Sequence, residues 1–187
     1  MTKQKIYRFT LVLKNVDANT KHLEDHLYEC GCDDALINFR NGTVYLDFDR
    51  MGSSFEEAVI RGIKEVELSD VGAMVARVGP EDVVTESDIA HRACVNRQTV
   101  LLWIKGKRRK SHPFPQPIMK LSARSPLWKW HDVAEWLYRN HLIAEKETID
   151  NALFIENINA ALEERDATIR KIRKKIIKQL VGHVRAA

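Results

Sequence analysis

No stretch of this sequence is apolar enough to cross a bilayer; nothing approaches the roughly 18–20 consecutive apolar residues that a span requires. The polar opening Met1-Thr2-Lys3-Gln4-Lys5 is not followed by the apolar stretch and cleavage site of a secretory signal. Cysteine is scarce. Cys30, Cys32 and Cys94 cannot pair completely, and no second Cys/His cluster offers zinc spacing, so a reduced, cytoplasmic protein is expected. A Gly-rich phosphate loop, a catalytic-triad pattern and an H-E-x-x-H helix are all missing, so neither an enzyme nor a cofactor is expected. Internal repeats and low-complexity segments are missing too.

What remains is 187 residues with 44% apolar and 30% charged side chains, enough to fill one ordinary core or two small ones. The net charge of +4 is a weak pointer to an anionic partner until it is divided along the chain. The turn pair Gly79-Pro80 and the helix-rich stretch after His141 mark boundaries, giving segments 1–80, 81–141 and 142–187. Their net charges are −3, +5 and +2. The middle segment is the basic one.

Segment 1–80 reads as β-α-β-β-α-β, the order of a ferredoxin-like unit. Ile6–Leu13 fits a strand with Phe9, Leu11 and Leu13 on one face, and Lys21–Cys30 fits a helix. Asn41-Gly42 is a hairpin turn, because both residues tolerate positive φ. A two-residue turn there makes opposed residue numbers sum to 83, so Ala35, Ile37 and Phe39 meet Phe48, Leu46 and Val44 on the core face. On the other face Asp34, Asp47 and Asp49 gather, which suggests either a solvated strand end or a docking spot for a divalent cation or basic partner. Ser53 with Glu56 reads as a capping box for a helix carrying Phe55, Val59, Ile63 and Val66. Val71–Val78 reads as the last strand. Cys30-Gly31-Cys32 is one residue short of a C-x-x-C motif and reads as a structural pair.

In segment 81–141, Thr85 and Asp88 form a capping-box start for a short helix. Asn96 caps a second helix, Arg97–Ile104, in which Val100 and Ile104 face inward and Trp103 closes the pair. Two short helices joined by a tight turn make a helix-turn-helix. The stretch Ser87-Asp88-Ile89-Ala90-His91-Arg92-Ala93-Cys94-Val95-Asn96-Arg97-Gln98-Thr99-Val100 resembles the MerR-like and AlpA/excisionase-like winged-helix regulators. The similarity continues through a basic loop, Phe114-Pro115, a short hairpin, and Leu127-Trp128-Lys129-Trp130-His131-Asp132-Val133 entering a helix. Cys94 stands where those proteins usually have Gly, a departure that costs on the order of 1 kcal/mol if the turn is left-handed.

The resemblance implies a recognition helix in the major groove, with Asn96, Arg97, Gln98 and Thr99 at its start. Arg97 can donate bidentately to guanine and Gln98 to adenine, while Thr99 suits a thymine methyl or a phosphate. Lys105, Lys107, Arg108, Arg109 and Lys110 supply a wing for the backbone or minor groove, and Lys120, Arg124 and Lys129 extend the basic stripe. Trp128 and Trp130 read as packing residues. In the tail, Pro and Gly are absent from Ala144 to Val181, so one long helix is expected. Ile155, Leu162, Ile169 and Ile176 recur at coiled-coil spacing with Ile158 and Ile172 between them, a seam for homo-oligomerisation.

The chain is therefore expected to be α+β: a ferredoxin-like N-terminal domain, a winged helix-turn-helix and a long C-terminal helix. Its expected function is sequence-specific binding of double-stranded DNA as an oligomeric transcriptional regulator, a repressor, in the cytoplasm and on the nucleoid. The alternatives are an excisionase-like DNA-bending factor, and an antitoxin or defence module whose N-terminal domain holds a protein partner. No membrane partner is expected.

Overall fold

The computed structural model describes residues 4–109, 111–121 and 125–184, with side chains described as far as residue 181. The expected elements Lys110 and Arg124 lie outside the described residues.

The first six elements are β1 (Lys5–Lys14), α1 (Leu23–Glu29), β2 (Ala35–Arg40), β3 (Thr43–Gly52), α2 (Phe55–Leu68) and β4 (Met74–Gly79). The strands form one antiparallel sheet in the order β2-β3-β1-β4. Strict alternation along β1 buries Tyr7, Phe9, Leu11 and Leu13, and the same period along β3 buries Val44, Leu46 and Phe48. Asn41 and Gly42 both have positive φ, and the hairpin register pairs Ala35 with Phe48 and Ile37 with Leu46, as the two-residue turn requires. Phe39 departs from expectation. It pairs with Val44 but stays half-exposed, because β2 is an edge strand with nothing packed beyond it. The cap of α2 is also displaced by one residue: Ser54, not Ser53, accepts from the Glu57 N–H, which lets the buried Phe55 open the helix.

The three aspartates do not form a shared docking spot. Asp34 turns to the helix-covered side, where the Arg50 guanidinium donates to it at 2.7 and 2.9 Å. Asp47 accepts from the Thr10 hydroxyl at 2.6 Å and the Asn38 amide at 3.0 Å, and Asp49 from Arg8 at 3.0 Å. Each carboxylate has its own donor, so the repulsion that would draw in a cation is already relieved, and no metal-binding group of His, Cys, Asp or Glu occurs among the described residues. Arg50 itself is 2% exposed, held by Asp34, Glu65 and the Gly31 carbonyl over the Phe48 ring.

The second group comprises β5 (Val83–Val84), α3 (Glu86–Arg92), α4 (Arg97–Ile104), β6 (Trp128–Lys129) and α5 (Trp130–Arg139), with β5 and β6 paired antiparallel. Its core holds Ile89, Val100, Trp103, Phe114, Trp128, Val133, Trp136 and Leu137.

The tail is two helices, not one: α6 (Glu147–Glu163) and α7 (Ala167–Val184). Asp166 breaks the run by accepting from the Thr168 and Ile169 N–H groups, which starts α7 afresh. Ile155 and Leu162 are buried in the core of the four-stranded sheet and Ile158 packs against it, while Ala152 is buried in the second core. These three large residues of the expected self-pairing seam are thus spent inside their own chain. Asn159 is buried beside them and clasps β4, accepting from the Val78 N–H at 2.7 Å and donating to the Val78 carbonyl at 3.0 Å. Among the described residues no helix is long and apolar enough to cross a membrane.

Candidate nucleic-acid interface

Thr85 begins α3 with a complete capping box: its hydroxyl accepts from the Asp88 N–H, and the Asp88 carboxylate accepts from the Thr85 N–H at 2.8 Å. The helix stops in a Schellman turn. The Cys94 N–H donates to the His91 carbonyl and the Val95 N–H to the Ala90 carbonyl, with Cys94 at φ +52°. The left-handed residue reverses the chain and Val95 drops onto the second core. Asn96 then caps α4 by accepting from the Thr99 N–H at 2.8 Å, and it also takes the Thr99 hydroxyl at 2.9 Å. The Asn96 Oδ1 and the Thr99 hydroxyl are consequently occupied with one another. The Thr99 hydroxyl is spent on this cap, whereas the Asn96 Nδ2 amide keeps its donors free among the described residues.

Gln98 is exposed beside them, and its amide makes no intramolecular hydrogen bond among the described residues. Arg97 is 54% exposed, and its Nε donates to the Glu86 carboxylate at 3.0 Å. Glu86 is itself largely buried at the start of α3, so it holds the Arg97 guanidinium by Nε while the two terminal nitrogens make no hydrogen bond among the described residues. Such a group donates two parallel hydrogen bonds to a planar acceptor pair.

A second Schellman turn ends α4, through Gly106 and Lys107 onto the Trp103 and Leu102 carbonyls. It throws Lys105, Lys107, Arg108 and Arg109 into solvent; all four are exposed, and none forms an ion pair among the described residues. The loop beyond is tied down by two indoles: Trp136 Nε1 donates to the His112 carbonyl at 2.9 Å and Trp128 Nε1 to the Pro115 carbonyl at 3.0 Å. Phe114 inserts between these rings, 4.9 Å from Trp136 and 6.2 Å from Trp128. Trp103 packs against Trp136 with ring centres 5.3 Å apart and planes tilted by 52°, so the α4 side of the loop is anchored to the same aromatic cluster. Trp128 and Trp130 are both buried in packing roles.

Lys120 is exposed near the single bridge that joins Met119 to Leu127. Lys129 does not extend the basic stripe. It lies in β6 facing α6, where the Glu156 carboxylate takes its ammonium. Two participants carry no signature in the sequence. Arg92 lies over the Trp130 ring at 4.9 Å and donates to the Glu81 carbonyl and carboxylate, which locks the chain entering β5 to α3. Glu86, the support of Arg97, is recognisable only once α3 and α4 are folded together.

The arrangement thus offers a short helix with Arg97 and Gln98 at its exposed start and a cationic loop at its end, both fixed to one aromatic core. Comparison of the chain with protein-family models, with curated proteins and with solved structures finds no match.

Proposed function

We propose that this protein binds double-stranded DNA with sequence preference and acts as a transcriptional repressor. In this reading, residues 81–141 form a winged helix-turn-helix, and the 2-3-1-4 strand order of residues 5–79 is that of a ferredoxin-like unit. The observation that carries the reading is the run of exposed cations Lys105, Lys107, Arg108 and Arg109 immediately after α4, none of them in an ion pair among the described residues. A solvated face ordinarily intersperses both signs, whereas a like-charged run held on a short turn suits a phosphate backbone, whose counterions it displaces.

The eight-residue helix α4 is about 12 Å long, and an α-helix, about 10–12 Å across with its side chains, fits the major groove. Its start would meet base edges through the terminal nitrogens of Arg97, positioned by Glu86, and through the Gln98 amide. The loop would fix register on the backbone without reading sequence.

Titration of the full chain against duplexes by fluorescence anisotropy tests this. Affinity should fall with salt at a log–log slope of about −0.9 for each phosphate neutralised. Replacing Lys107, Arg108 and Arg109 with Gln should weaken every duplex alike and flatten that slope, whereas Gln98→Ala should relax discrimination at one base pair. Absence of duplex binding at low salt refutes the reading.

A further inference from the structure

Helix α7 stands clear of both cores: every described side chain along it is exposed except the half-buried Arg173. Most helical stability in proteins comes from packing of an apolar face rather than from propensity, so the eighteen residues of α7 call for a partner surface. Its apolar side chains fall on one side. Ile169, Ile172, Ile176 and Leu180 follow each other at intervals of three and four, with Ile177 and Val181 alongside, and the six are 39–64% exposed. Lys171, Lys174, Lys175 and Lys178 occupy the opposite arc, Arg170 lies at the edge of the apolar face beside Ile177 and Val181, and α7 contains no acidic residue. Arg173, the cation nearest the middle of the apolar arc, is drawn back by Glu163 and Glu164 before the turn into α7.

We propose that α7 pairs with α7 of a second copy of this chain, apolar stripe against apolar stripe. The occupant must be apolar along a matching length, and among the described residues no other element exposes so long a run of large apolar side chains. Lys171, Lys174, Lys175 and Lys178 lie away from the line Ile169, Ile172, Ile176 and Leu180, Arg173 is paired with Glu163 and Glu164, and Arg170 stays at the solvent edge where its charge is screened. A nucleic acid would satisfy the cations but leave the stripe in water.

With six side chains about half exposed on each copy, pairing removes on the order of 1,000 Å² of total surface, the lower limit for a specific interface. The dimer is therefore a weak, concentration-dependent one. It supplies the second reader that a two-half-site operator calls for, and in that role alone it rests on the DNA-binding reading.

Sedimentation velocity of the full chain without DNA should show a monomer–dimer equilibrium in the micromolar range. The double variant Ile172→Lys/Ile176→Lys should stay monomeric at every concentration, with thermal unfolding of the rest of the molecule unchanged because α7 lies outside both cores. Lys174→Glu/Lys178→Glu, on the opposite arc, should dimerise at least as well as the parent. A parent that remains monomeric throughout, or an isoleucine double variant that still dimerises, overturns the pairing. So does a monomer that instead floats with vesicles of anionic phospholipid. Since the readout contains no DNA, a failure here leaves the DNA reading standing, and a failure of duplex binding leaves the pairing intact.

Discussion

Asn159 replaces a missing strand. β4 is the outer strand of the sheet on its side, and the Asn159 amide meets the Val78 N–H and carbonyl as a neighbouring backbone would. The side chain is 3% exposed, so truncation leaves two buried polar groups without partners. Asn159→Ala should lower stability by about 2–3 kcal/mol, read as a shift in the urea midpoint. The cysteines divide by environment in the same way. Burial pushes the Cys32 thiol up to about 12, against the pull of Arg50, so it stays protonated and unreactive, while Cys94 is exposed on its turn. A thiol reagent near neutral pH should label Cys94 quickly in the folded protein and reach Cys32 only on unfolding. Cys30-Gly31-Cys32 had read as a structural pair, and its place in the fold gives the cause. Gly31 at φ +95° ends α1 in a Schellman turn, and Cys32 follows it into the core.

At the scale of elements, the same turn ends α1, α3, α4 and α5, with Gly31, Cys94, Gly106 and His141 as the left-handed residues. Two of the four lack the glycine that this conformation favours. Because Cys94 is exposed, Cys94→Gly removes backbone strain and loses no packing; it should stabilise the protein by about 0.5–1 kcal/mol, measured by thermal melting. The start of α3 has a pH signature. Burial disfavours the charged Asp88, but the Thr85 hydroxyl and N–H outweigh it and hold the carboxyl below its usual 3.8. With the folded value below the unfolded one, this contribution is present above the unfolded pKa and lost as pH falls through the folded pKa. The stability gap between the parent and Asp88→Asn should therefore shrink as pH is taken from about 7 to below about 4. Both helix starts were readable, since Thr85 with Asp88 and Asn96 with Thr99 act over three residues. The shift from Ser53 to Ser54 at α2 was not, because two serines in a row offer the same cap and only burial of Phe55 chooses between them.

At the scale of the molecule, α6 joins the two cores. Its Ala152 enters the aromatic core while Ile155 and Leu162 close the sheet, and the Lys129–Glu156 and Arg165–Glu67 pairs flank it. A chain cut at residue 142 therefore loses core as well as tail. It should unfold at a markedly lower temperature than a chain cut after residue 166, which sheds only α7. Equal melting temperatures for the two would contradict the bridging role of α6. The sequence by itself determined what short-range geometry dictates: the 41–42 hairpin and its register, the caps of α3 and α4, the alternation of β1 and β3, and the concentration of positive charge in residues 81–141. Tertiary structure alone decided which apolar and charged side chains were already taken. An isoleucine stripe on a helix has the same period whether it faces its own core or another chain, so Ile155 and Ile169 look alike until α6 is seen folded and α7 is seen free. Lys129 and Lys107 are likewise equal as residues. Only the position of Glu156, across a contact that periodicity does not specify, pairs one with a carboxylate and leaves the other without an ion pair among the described residues.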